Sequence, residues 1–249
     1  MTSPRSPRAT AASARIVPGG ERIFQRIYTR LGCEGRPPQF VVLYHPYADL
    51  THTIRLRDDI ALVRLSDILS SAPRSIVEAA AAILLARLYR RRPPADLLET
   101  YRQFSYARST RRRLLLIRSR RARRIEHRPA GVHHNLDPLF DELNRAYFSN
   151  LLPRPRLCWS RRAWRSQLGC FDPALNQIVL NRQLDHPRIP AYVVAYVLFH
   201  EMLHVKHPDR YAFCRRESHS REFRNEEKGF TDYARAMRFL GRLPLPRFR

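Results

Sequence analysis

The spacing of apolar positions divides the chain into segments with different periods. Ile23, Ile27 and Leu31 recur at helical intervals, which predicts a helix over Glu21 to Leu31. Thr53 to Leu65 alternates apolar and polar residues about Asp58-Asp59, the pattern of a β-hairpin. After Pro73, the alanine- and leucine-rich run Ser75 to Tyr89 predicts a second helix stopped by Pro93-Pro94, and Ala95 to Phe104 a third. Past the Pro129-Ala130-Gly131 break the texture changes. Leu139, Phe140, Leu143 and Tyr147 share one helical face, with Asp137 expected to cap and Pro138 to open that helix. Three short strands are expected next, over Arg156 to Ser160, Gln167 to Phe171 and Gln177 to Asn181, separated by turn-prone stretches. From Ala191 to Phe199 the chain is apolar nearly all round, the mark of a helix buried on most faces.

The expected architecture is therefore α+β. A disordered tail (1–20) leads into a mostly helical module with a hairpin (21–107), an arginine-rich helix or linker (108–129), and a second domain of helices around a small three-stranded sheet (130–249). At 249 residues with 44% hydrophobic content, the chain is too apolar for wholesale disorder. Every apolar run is too short for a membrane span, and the four scattered cysteines read as reduced thiols. The expected location is the cytoplasm.

Charge adds a candidate partner. Basic residues number 46 against 22 acidic, a net charge of +24, and only Lys206 and Lys228 are lysines. Ten arginines and one acid lie between Arg108 and Arg128. Arg111, Arg112, Arg113, Arg118, Arg120, Arg121, Arg123 and Arg124 are the candidate contacts to the phosphates of DNA or RNA; the bland reading is a solvated linker helix. Aromatic residues do not interleave them, so sequence preference is expected to be weak.

The strongest chemical signal is His200-Glu201-Met202-Leu203-His204, the pattern H-E-x-x-H. Histidines at i and i+4 on one helical face can reach a single zinc ion, and the intervening Glu201 can address a water without ligating the metal. A hydrolytic zinc site keeps three protein ligands and an open position. His219 is the expected third ligand. Glu217, Glu222, Glu226 and Glu227 offer a two-histidine, one-glutamate set instead. His207, about 10 Å of helical rise beyond His200, lies too far for the same ion. The reaction expected of such a site is peptide hydrolysis, with Glu201 activating a zinc-bound water and, by analogy with known metallopeptidases, an extended protein substrate lying along Gln167 to Phe171. Tyr211 and Tyr233 are candidate donors to the oxyanion.

Leu139-Phe140 through Asn144, Tyr147-Phe148, Trp159-Ser160, Gly169, Ile178 to Asn181, His200 to His204 and the block His219-Ser220-Arg221-Glu222-Phe223 together resemble the SprT-like metallopeptidase domain, the family of the Spartan proteases. The resemblance covers about Val132 to Leu240 and extends to the YgjP-type metal-dependent hydrolases. It implies a minimal zincin fold, zinc held by His200, His204 and His219, and Glu201 as the catalytic glutamate. It also implies protein substrates bound or crosslinked to DNA. The Cys-rich zinc ribbon of many bacterial members has no counterpart here, since no cysteine follows Cys214.

Two other readings compete. In one, the protein binds nucleic acid and its zinc site is structural or vestigial; Glu201 argues against it, because a closed four-ligand site has no use for a glutamate beside its first histidine. In the other, the chain is a three-histidine RNA-processing hydrolase; that pattern needs a histidine six residues after the second, where this chain has Arg210.

Overall fold

The computed structural model describes residues 15–122, 124–207, 210–212 and 215–242, with the side chains of 210–212 and 215–217 left out of the description. The chain divides into two compact units, 1–121 and 122–249. The fold is α+β in both.

The first unit is built on a four-stranded sheet. β1 (Arg15–Ile16), α1 (Gly20–Arg30), β2 (Gln39–His45), β3 (Thr53–Arg57) and β4 (Ile60–Ser66) follow in chain order, and the strands lie in the order β1-β2-β4-β3. The hairpin is present: Arg57 faces Ile60, and Asp58 turns the chain at φ 50°. The expectation of a mostly helical module passed over β2, which pairs parallel to β4 in the middle of the sheet. In Gln39–His45 the apolar residues run together although burial alternates: Phe40 and Val42 are buried while Val41 between them is exposed, so an apolar side chain on the outer face erases the period-two signal. The expected disordered tail is also too long, since Arg15 and Ile16 already pair with Tyr44 and Leu43; residues 1–14 lie outside the described residues.

Gly20 lets α1 approach this sheet, for a Cβ there would come within 2.8 Å of Val42 Cβ. α2 (Arg74–Leu88) buries Leu85 and Ala79 to Ala82, and the small alanine side chains permit close packing on the sheet-and-helix core. α3 (Ala95–Tyr106) sends Tyr101 to His52, whose Nε2 lies 2.7 Å from the phenol oxygen, while His52 Nδ1 accepts the Ser66 amide at 3.0 Å.

The arginine-rich segment is helical from Arg108 to Arg121 (α4) and belongs to the first unit. Several of its guanidiniums are structural. Arg121 grips both carboxylate oxygens of Asp67 at 2.8 and 2.9 Å and the Tyr47 carbonyl at 3.1 Å. Arg113 reaches Ser71 Oγ and the Ile68 carbonyl, and Arg118 lies 3.7 Å from Asp49. Arg123 falls outside the described residues.

In the second unit α5 (Leu136–Phe148) is followed by β5 (Arg156–Trp159), β6 (Gly169–Asp172) and β7 (Gln177–Leu180), in sheet order β5-β7-β6. The cap of α5 is Asn135, whose side chain accepts the Asp137 amide at 3.2 Å; Asp137 instead meets Arg154 at 3.0 Å. β5 runs parallel to β7, and β6 antiparallel to it. α6 (Ala191–Lys206) is buried continuously from Val193 to Leu203, as its all-round apolar sequence predicts. The short ladder of β8 (Arg210–Ala212) and β9 (Arg215–Glu217), then α7 (Arg221–Lys228) and α8 (Tyr233–Arg242), complete the unit. Asn144 pins the turn after α5 by exchanging two hydrogen bonds with the Leu152 backbone, at 3.1 and 3.2 Å. Among the described residues no helix is long and apolar enough to cross a membrane, and Cys33 and Cys158 are free thiols.

Candidate metal centre

His200 and His204 occupy successive turns of α6, and His219 arrives from the opposite side, just ahead of α7. Ser220 fixes that arrival by capping α7, its hydroxyl accepting the Phe223 amide at 3.2 Å. The three ring centroids stand 5.0 Å apart pairwise, a near-equilateral triangle, and one nitrogen from each ring lies within 4.8 Å of the others. Phe223, fully buried, backs all three rings at 5.2, 4.8 and 4.7 Å.

A metal ion fits this triangle. His200 Nε2 and His219 Nε2 are 3.3 Å apart. Nitrogens about 2.0–2.1 Å from a tetrahedral ion stand about 3.3–3.4 Å from one another, so this pair is already at ligand spacing. The tautomer of His200 is set from behind: Glu227 Oε1 accepts from His200 Nδ1 at 2.7 Å and from Tyr196 Oη at 2.8 Å. That leaves the His200 Nε2 lone pair facing the triangle. Burial pushes the Glu227 carboxyl up, but the hydrogen bond and charge of His200 and the Tyr196 hydroxyl outweigh it and hold Glu227 below its ordinary range.

Glu201 stands beside the triangle and outside its ligand set. Its carboxyl is buried between α6 and β6, and burial pushes its pKa up to about 7, against the opposing pull of His200 and the Phe171 backbone. The seat exists because residue 169 is glycine. A Cβ there would fall on the Glu201 carboxylate and within 2.7 Å of its Cγ.

The other candidates are placed elsewhere. His207 caps the end of α6 and meets Glu226 at 3.1 Å, and Glu226 also holds Lys206 at 2.6 Å. Glu227 supports His200 and is not one of the ligands. Tyr233 packs edge-on against Tyr196. The side chains of Tyr211 and Glu217, together with Cys214, lie outside the described residues. The sequence reading missed the supporting role of Glu227, for which a signal existed: Phe223 and Glu227, at i and i+4, share the face of α7 turned toward α6.

The chain was compared with protein-family models, with curated proteins and with solved structures, and nothing matches.

Proposed function

We propose that the protein is a zinc-dependent metallopeptidase with a zincin-like second unit of the SprT-like kind, acting on proteins associated with nucleic acid. One observation carries the reading: three imidazoles converge at metal-ligand spacing while the buried Glu201, one residue on from His200, stays outside the histidine group. Three nitrogen donors suit zinc and leave a coordination position open, whereas a structural zinc site is closed by a fourth protein ligand; among the described residues the cluster has three.

Zinc held by His200, His204 and His219 would supply Lewis acidity toward a scissile carbonyl and an attacking water. Glu201 accepts the proton of that water at its carboxylate and returns it to the departing amine. Glu227 and Tyr196 keep His200 in one tautomer throughout. β6 is an edge strand. The Phe171 backbone serves Glu201, so an extended substrate would add its main chain toward Gln167, with little side-chain selectivity. The association with nucleic acid is supported by the net charge of +24 and by the resemblance to the SprT-like domain.

The test combines metal analysis with cleavage of an unstructured protein, assayed with and without DNA. Glu201→Gln should retain one zinc per chain and lose cleavage by about 10²-fold or more. His219→Ala should lose zinc. Wild-type cleavage rates in the glutamine variant, or undiminished zinc in the alanine variant, would sink the assignment.

A further inference from the structure

A second concave site lies at the ends of β5 and β7, where the two parallel strands finish side by side. It is a cavity of about 340 Å³ whose wall includes Arg128, Trp159, Arg161, Arg182 and Asp185. Trp159 is the one aromatic side chain in that wall, and its indole N–H is already spent on the Pro129 carbonyl at 3.0 Å, which fixes the ring. Three segments of chain meet here and are tied together. The Ser160 amide donates to the Leu180 carbonyl at 2.8 Å, the Arg182 amide to Ser160 Oγ at 3.0 Å, and the Arg182 guanidinium to the Arg161 carbonyl at 2.8 Å.

The opposite wall is held by a carboxylate. Asp185 accepts the amides of Val132, His133 and His134 at 2.6, 2.8 and 3.0 Å. Gly131 makes room for it, since a Cβ there would land on the Asp185 carboxylate. Burial pushes the Asp185 carboxyl up, yet the three amides outweigh it and hold it below its usual range. Its negative charge is thus engaged by the backbone. Glu126, the other acid in the wall, pairs with Arg128 at 3.0 Å. Among the described residues neither Arg161 nor Arg182 meets a carboxylate.

We infer that this cavity binds a nucleoside phosphate, with Arg161 and Arg182 on the phosphate and the base or sugar against Trp159. Guanidinium forks match phosphate oxygens, and an aromatic ring offers a surface to any base. The volume suits a nucleotide-sized group and exceeds what a single carboxylate side chain would fill. The inference stands whether or not the metal centre hydrolyses peptides.

The experiment titrates the full chain in a Trp164→Phe background, following Trp159 fluorescence at physiological salt, with AMP, adenosine, inorganic phosphate, a 5′-phosphorylated oligothymidylate and a tetra-glutamate peptide. AMP is expected to bind at least 10-fold more tightly than adenosine or phosphate. Arg161→Gln and Arg182→Gln should each weaken AMP by 10-fold or more with unchanged zinc content and circular dichroism. Arg161 is exposed, so its variant keeps the test decisive if Arg182→Gln unfolds. Tighter binding of the oligonucleotide than of AMP identifies the nucleotide as part of a single strand; equal binding identifies a free nucleotide; both support the site. Phosphate binding as well as AMP, preference for the acidic peptide, or an Arg161→Gln variant that binds AMP like wild type would overturn it.

Discussion

Glu227 shows how far the three-histidine group depends on a residue outside it. Its single oxygen Oε1 receives both the His200 Nδ1–H and the Tyr196 hydroxyl. Glu227→Gln replaces an anionic acceptor by a neutral one, and the imidazole loses part of both its orientation and its basicity. Zinc affinity, measured by competition with a chromophoric chelator, should fall about 10- to 100-fold while the fold is kept. Unchanged affinity would mean that α6 alone positions His200. The pairing of His200 with His204 was legible in the sequence, because H-E-x-x-H is a local pattern on one helix, whereas the approach of His219 depends on how the chain returns after α6. Glu227 was legible only as a carboxylate near a histidine, and the choice between ligand and support depends on where α7 lies across α6, which spacing does not encode.

Elements with a clean period were the readable ones: α1, the β3–β4 hairpin, α2 and the three strands of the second unit lie close to where their patterns put them. β2 escaped because its partners are remote in sequence and because the apolar Val41 stands on its exposed face, which hides the alternation of burial. The cap of α5 shows the same limit at one residue, with Asn135 and Asp137 both good cap formers and the turn geometry deciding between them. β4 and α3 are joined through His52, and this makes the first unit acid-sensitive. Burial, opposed by Asp49 and the Thr51 backbone, pushes the His52 pKa down to about 4. Nδ1 must stay unprotonated to accept the Ser66 amide. The unfolded chain binds this proton near pH 6.5 and the folded chain only near 4, so the stabilisation is complete above about pH 6.5 and is lost as pH falls toward 4, by about 3 kcal/mol. Melting of wild type and His52→Gln, both with metal chelated, from pH 7.5 to 4 should show a steeper loss in wild type across that window. Parallel curves would assign the acid sensitivity elsewhere.

For the whole molecule the dominant quantity is the charge of +24. The fold divides it into two classes. Arg113 and Arg121 are spent holding α4 to the turn at Asp67–Ser71, with Arg118 close to Asp49. Arg112 and Arg120 are exposed positions on the same helix. If α4 contacts a phosphate backbone, binding of a DNA duplex should weaken log-linearly with salt. Arg112→Ala with Arg120→Ala should flatten that slope by about one unit for each phosphate no longer neutralised, equally for unrelated sequences and without lowering the melting temperature. Arg121→Ala should instead cost stability, about 1 kcal/mol for an exposed but bidentate pair. An unaltered slope in the double variant would make α4 a solvated face only.

The seat of Glu201 has a consequence for inheritance. Because the Cβ position of residue 169 is already filled by the carboxylate of another element, the first carbon of any side chain already displaces it. Every missense change in the Gly169 codon, alanine included, therefore shares this lesion, and tolerance at this position begins with a step where most of a protein surface shows a slope.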